Sequence, residues 1–228
     1  MRAMVIHHHL GDSGGFISDE FRRKGAEVTS HLFPHDGPLP SPQDADHVII
    51  LGAAASVNDE GPARIWIEQE QEWLRTADRM GVPILGICFG AQMLCAALGG
   101  EIVTAPRREL GWTMVEPVDS AVIPPGPWMQ LHSDGCLPPP GARILARNDM
   151  GVQAFSLGPH LAVQFHPEFD KAHLHRWMEG GVREVFLREG QDPDALLSQT
   201  IAEEPEARAR AGVLVATALA QARRSVIR

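Results

Sequence analysis

No apolar run in this 228-residue chain approaches the roughly 20 residues that a helical membrane span requires, so no membrane-spanning helix is expected. Cysteine is scarce. Cys88, Cys95 and Cys136 are odd in number and lack framework spacing, which excludes a disulfide scaffold and points to free thiols in a reducing compartment, the cytoplasm. Positive charge is also short: 20 Lys and Arg face 29 Asp and Glu, leaving a net charge of −9 that the Arg107-Arg108 pair cannot reverse. Binding along a phosphate backbone is carried by surplus Lys and Arg, so nucleic acid is excluded as a main partner. Low-complexity tracts, long linkers and internal repeats are missing as well. Met1 to Ile6 has no long apolar core of the kind that opens a signal peptide and reads as a first strand. With 44% hydrophobic and 21% charged residues, the composition is that of an ordinary folded domain. One domain over residues 1–228 is expected, with 170–228 as a helical C-terminal segment packed on it.

Against these absences stands one rich stretch, Val82 to Leu98. Pro83 to Ile87 is a short apolar run suited to a strand buried on both faces, and Phe89 to Leu98 is a run of helix formers stopped by Gly99-Gly100. Cys88 falls on the turn between them. Gly86 and Gly90 flank it at two residues' distance, making G-x-C-x-G, the cysteine form of a nucleophile elbow. Helix-start amides are unpaired donors with partial positive charge, so they stabilise a thiolate and can hold a developing oxyanion. The competing reading is that Cys88 is one more small buried hydrophobe.

A thiol nucleophile needs a base. Leu161 to Phe165 is a second apolar, β-prone run ended by Pro167, which leaves His166 at a strand's C-terminal end with Glu168 two residues on. Strand ends gather at one edge of an open parallel sheet, so Cys88 and His166 can meet there. His166 would then take and return the proton while Glu168 orients its ring.

Gly86 to Gln92 (GICFGAQ) and Gln164 to Glu168 (QFHPE) together resemble the class I, or triad, glutamine amidotransferases, particularly the GMP-synthetase-like branch. Further matches follow in family order: Ile49 to Gly52 leading to Ser56 to Asp59, then Glu109 to Trp112, then His132 to Asp134. The resemblance implies a triad of Cys88, His166 and Glu168 that hydrolyses the side-chain amide of glutamine through a γ-glutamyl thioester. It also implies an oxyanion hole made by the backbone amides of Ala53 and Phe89, and substrate contacts from Gly52, Gln92, Ser133 and Asp134. Ala53 and Ala54 depart from the family's Gly-Gly-Pro-like loop, which puts full amidase competence in question if that loop needs positive φ.

The remaining chain supplies the frame. Arg2 to Ile6, a Gly-rich turn at Gly11 to Gly15 and a helix from Phe16 to Lys24 form a strand, turn and helix. The turn lacks the spacing of a nucleotide-binding loop. His7, His8 and His9 sit at that strand's end, where successive side chains point to opposite faces, so they are not expected to close on one metal ion; one of them lining the active-site rim is the milder reading. Glu101 to Trp112 and Met114 to Val118 read as short strands, as do Trp128 to His132, Ala142 to Arg147 and Val152 to Leu157. Lys171 to Glu179, Asp194 to Ala202 and Glu206 to Arg223 read as helices. The last carries an apolar stripe that packs on the body or meets a partner. His132 has two open readings, a substrate contact or a hydrogen-bonded loop residue.

The expected fold is α/β and flavodoxin-like: a central, mostly parallel sheet with helices on both faces and a small antiparallel extension. The expected function is glutamine hydrolysis to glutamate and ammonia, without metal or cofactor. Residues 169–228 hold no nucleotide loop, so a separate synthetase subunit is expected to receive the ammonia. The alternatives are a free-standing hydrolase of γ-glutamyl amides or peptides, and a non-catalytic binding or regulatory relative.

Overall fold

The computed structural model describes residues 1–226. Its centre is a nine-stranded sheet in the order β2-β1-β3-β4-β9-β8-β6-β5-β7. The first five, β2 (Glu27–Leu32), β1 (Arg2–His7), β3 (His47–Ile50), β4 (Ile84–Ile87) and β9 (His160–Val163), pair in parallel. Their side chains alternate between two apolar layers. Ala3, Val5, Ile49, Leu85 and Ile87 face one side; Met4, Ile6, Val48, Ile50 and Ile84 face the other. In β1, β3, β4 and β9 neither face is left for water, which is why these strands read as near-continuous apolar runs, while the edge strand β2 is polar and mostly exposed. Helices α1 (Gly15–Arg23) and α6 (Pro193–Val226) cover the first layer, through Phe16, Ile17, Phe21, Ala211, Leu214 and Val215. Helices α2 (Pro62–Arg79) and α3 (Phe89–Ala97) cover the second, through Ile67, Leu74, Ala77, Met93 and Leu94.

The other half departs from expectation. In place of a small extension, β5 (Glu101–Pro117), β6 (Gly126–Leu137), β7 (Arg143–Asn148) and β8 (Gly151–Leu157) are all antiparallel. Because β7 also pairs with β8, the four close on themselves like a small barrel. The sheet is therefore mixed, and mostly parallel describes only its first half. The two short strands expected on either side of Thr113 are one 17-residue strand, β5, with a register shift between Thr104 and Glu109. An irregularity of this kind absorbs extra residues without ending the ladder, so the Arg-rich turn lies inside a strand. His132 to Asp134 likewise sits within β6 and not at a strand end.

Beyond the triad segment, α4 (Lys171–Trp177) passes into a π-helical turn at Met178–Val182, where Gly181 has φ 96°, and then into α5 (Arg183–Arg188). The two helices expected at 194–202 and 206–223 are one, α6, with Pro205 inside it. Pro205 removes one helical hydrogen bond, and the burial of Ala207, Ala211, Leu214, Val215 and Ala218 against the sheet face outweighs that loss. The apolar stripe of α6 is thus a packing stripe. The segment assigned to 170–228 is described as far as residue 226.

Candidate active site

The elbow forms because β4 is buried on both faces and ends against α3 with no room for a loop. Cys88 has φ 52° and ψ −111°, and is the one non-glycine residue with positive φ among the described residues. Such strain persists only where packing over-determines it. Both flanking glycines supply that packing. A Cβ on Gly86 would lie 2.6 Å from the Gly90 carbonyl oxygen, and a Cβ on Gly90 would overlap the backbone carbonyl of Ile50 in β3. The Cys88 amide donates to Val163 O at 2.8 Å, tying the turn to the end of β9. His166 follows three residues later, and its own amide donates to Met129 O of β6 at 2.8 Å.

Parallel strand ends therefore bring thiol and imidazole to one edge. His166 Nδ1 lies 2.7 Å from Oε1 of Glu168, and both side chains are buried. His166 Nε2 is buried and makes no hydrogen bond of good geometry among the described residues. Burial alone would push the His166 pKa down, but the charge of Glu168 and the adjacent Cys88 outweigh it and raise the pKa well above 6.5. The imidazolium form is thus favoured next to the sulfur at neutral pH. Cys88 Sγ further approaches Gln164 Nε2 at 3.7 Å and Leu131 O at 3.9 Å.

A cleft of about 810 Å³ opens over this edge, and every residue named from the sequence as a site residue lines it: Gly52, Ala53, Cys88, Phe89, Gln92, Ser133, Asp134, His166 and Glu168. Gly52 presses on the reacting groups. A Cβ there would lie 3.2 Å from Cε1 of His166 and 3.9 Å from Cβ of Cys88. The Ala53 amide has no protein acceptor among the described residues. Neither Ala53 nor Ala54 has positive φ, so the departure from the Gly-Gly-Pro-like loop brings no strain here.

Several contacts differ from the sequence reading. Gln92 is buried, with its amide nitrogen donating to Asp134 O at 3.0 Å and to Gln164 Oε1 at 3.2 Å; it braces the cleft floor. Asp134 Oδ2 accepts from Ser56 Oγ at 2.6 Å, and Ser133 Oγ accepts from Arg108 Nε at 2.9 Å. His132 donates from Nδ1 to Asp134 O at 2.9 Å and meets Glu109 Oε2 at 3.0 Å, which favours its reading as a hydrogen-bonded structural residue. Glu109 in turn accepts from Asn148 and Gln153.

Three features escaped the sequence reading. Arg108 brings a cation to the cleft wall. His173 of α4 bridges Asp12 (3.2 Å) and Asp170 (2.8 Å). Burial would lower the His173 pKa, yet Asp12 and Asp170, with the nearby charge of Glu168, raise it to about 9, and Asp12 and Asp170 are held below the usual carboxylate value in return. The Gly-rich turn of 11–15 also has a positional use. The Phe16 amide donates to Glu168 O at 3.1 Å, and a Cβ on Gly15 would overlap that carbonyl and the His173 ring, so only glycine lets α1 approach the triad segment. The spacing of Gly11, Gly14 and Gly15 marked a tight turn but not its target.

A buried thiol and an imidazole brought to one strand edge, with that imidazole held on a carboxylate, are the equipment of acyl transfer. The family model for class-I glutamine amidotransferases matches residues 12–182, and the chain belongs to this family. It is 30% identical over 210 residues to a glutamine-hydrolysing GMP synthase of Caldanaerobacter subterraneus, covering 84% of this chain and 39% of that enzyme. The match to the GMP synthase of Aeropyrum pernix is 39% over 125 residues, covering 51% of this chain and 24% of that enzyme. The chain thus spans well under half the length of these relatives. A γ-glutamyl peptidase 2 of Arabidopsis thaliana is 32% identical over 149 residues, 60% of each chain. Among solved structures, a glutamine amidotransferase from Thermotoga maritima superposes with TM-score 0.86 at 25% identity, covering 96% of this chain and 98% of that one.

Proposed function

We propose that this chain is a single amidotransferase-type unit that hydrolyses γ-glutamyl amides, with glutamine as substrate and ammonia as the product passed to a separate synthetase. The observation that carries the reading is the Cys88 turn, a strained thiol facing an imidazole whose proton is held by Glu168. The Cys88 thiolate adds to the side-chain carbonyl, and the amides of Ala53 and Phe89 receive the negative charge on oxygen. His166 gives its proton to the departing nitrogen, the C–N bond breaks, and ammonia leaves a γ-glutamyl thioester. Water then attacks the thioester with His166 accepting a proton, releasing glutamate and regenerating the thiol. Gly52, Gln92, Ser133 and Asp134 shape the cleft that receives the amino-acid end.

A second reading, release of an amino acid or peptide from a γ-glutamyl compound by the same steps, has its own support. The cleft is far larger than a glutamine side chain needs, Arg108 stands in its wall, and one relative is a γ-glutamyl peptidase. Steady-state rates for the isolated chain on glutamine and on γ-glutamyl dipeptides distinguish the two. A kcat/KM at least 10-fold higher for glutamine supports the first; the reverse order supports the second. No turnover of either, with no adduct at Cys88 from a glutamine-derived diazoketone, would leave a binding module. The three free, unbridged cysteines favour a cytoplasmic setting.

A further inference from the structure

His7, His8 and His9 leave β1 toward the cleft, and each ring has a defined partner. His7 Nδ1 donates to His9 O at 2.9 Å, holding the triplet in shape. His8 Nδ1 donates to Gly52 O at 3.2 Å, and its Nε2 lies 3.0 Å from Oε2 of the fully buried Glu70. The His8 ring is wedged between Trp66 and Phe89, with centroids 5.4 and 5.3 Å away. His9 Nε2 accepts the Ala54 amide at 3.1 Å. Two successive histidines therefore grip the loop that carries the Ala53 amide, one at the carbonyl before it and one at the amide after it.

From this geometry we infer that His8 and His9 are positioning residues for the oxyanion hole: they fix the Gly52–Ala53 peptide with its N–H toward Cys88 before substrate arrives, so that the isolated chain is switched on without a partner. In a trans peptide the carbonyl and N–H point in opposite directions. His8 is buried beneath the loop and draws the Gly52 carbonyl inward, so the Ala53 N–H turns outward, to the cleft that Gly52 and Ala53 line beside Cys88 and His166. Turning this peptide over would swing Ala53 through about half a turn in φ, from its present region into the positive one that an alanine resists. Ala53 and the histidine grip thus favour the same orientation. The residue at 54 fits the scheme too. An alanine there carries an N–H that a proline would lack, and His9 is the acceptor that answers it. Burial lowers the His9 pKa, assisted by His8 and His7 and opposed by Asp12, which keeps Nε2 free to accept at neutral pH.

This inference rests on the amidase reading of Cys88, and its test separates the two. In wild type, His9→Ala should lower kcat about 5- to 10-fold with KM changed less than 2-fold, the scale of one hydrogen bond. In an Ala54→Pro background, which has no N–H to satisfy, the same change should cost less than 2-fold. The paired variant His8→Leu, Glu70→Leu, which releases the Gly52 carbonyl without leaving a buried carboxylate unpaired, should remain folded by its unfolding midpoint while kcat falls at least 10-fold. Independently of turnover, the Ala54 amide resonance should shift as His9 titrates, and its hydrogen-exchange protection should be lost in His9→Ala. An inactive wild type with the Ala54 resonance still following His9 overturns the amidase reading alone. Equal losses in both backgrounds, or an Ala54 amide indifferent to His9, overturns the clamp.

Discussion

Glu168 Oε1 sits 2.7 Å from Nδ1 of His166, while Oε2 of the same carboxylate is buried with no hydrogen-bond partner among the described residues. The carboxylate's one side-chain hydrogen bond among the described residues is therefore to the His166 ring, although its charge also reaches His173. That charge is the largest of the influences that raise the His166 pKa against the effect of burial. Replacing Glu168 by Gln keeps the shape and removes the charge. The expected outcome is a fall in kcat on the order of 10²–10⁴, as for other triads deprived of their carboxylate. The His166 pKa should fall with it, so that alkylation of Cys88 by iodoacetamide at pH 6 slows about 10-fold. An unchanged alkylation profile would falsify the assigned role of Glu168.

Cys88 offers a test in which stability and activity move apart. Its φ of 52° disfavours any side chain, at a cost of about 1–3 kcal/mol. Cys88→Ala and Cys88→Gly should both abolish turnover while leaving the protein folded. The glycine variant should be the more stable of the two by about 1 kcal/mol, the reverse of the order seen at ordinary helical positions. Urea unfolding of the two variants decides it. An alanine variant as stable as the glycine one would mean that the turn is not strained.

How much of this was legible in the sequence follows from range. G-x-C-x-G, His166 with Glu168, and the apolar strands of the parallel half are written in contiguous residues, and each was read from them. The barrel-like half was under-read because β5 and β6 are long and half-exposed: the Arg-rich segment looks like a break, and only the pairing of β5 with β6 shows that the ladder continues past it. Pro205 misled in the same way, since the burial that holds α6 together comes from the sheet and not from the helix. One of the three histidines was expected at the cleft rim, and His9 lines the cleft; the grip of His8 and His9 went unread because their partners, Glu70 and the 52–54 loop, lie more than forty residues away in sequence. Likewise the Gly-rich turn announced a tight backbone without naming Glu168 as what it approaches.

Close packing at the elbow gives a third test. Gly90 has no room for a side chain, since a Cβ would overlap the Ile50 carbonyl in β3, and backbone cannot swing aside as a long side chain can. Gly90→Ala should therefore destabilise the fold by at least about 2 kcal/mol. Activity should fall further than stability explains, because any shift of α3 also moves the Phe89 amide relative to Cys88. Denaturant unfolding paired with kcat at a temperature where the variant is fully folded measures both. A change within 0.5 kcal/mol, a rough bound for neutral substitutions, would contradict the tight approach of α3 to β3.

His173 links the Asp12 turn to α4 beside the triad, and its pH behaviour can be read as stability. Its pKa in the folded state is about 9, above the ordinary 6.5, because the pull of Asp12 and Asp170, with a contribution from Glu168, exceeds the opposing effect of burial. A group whose pKa rises on folding contributes its full stabilisation below the unfolded value and loses it as pH passes the folded one. The contribution should accordingly be complete below about pH 6.5 and vanish by about pH 9.5, with an upper bound of about 3 kcal/mol. His173→Gln has no such proton to lose. Thermal midpoints should therefore be lower for the variant at pH 6 and converge with wild type near pH 9.5. The depressed pKa values of Asp12 and Asp170 add a separate loss on the acid side, as pH falls below about 4. A wild-type midpoint that stays level between pH 6.5 and 9.5, or a constant gap between the two proteins across that window, would show that the two aspartates do not hold the charged ring.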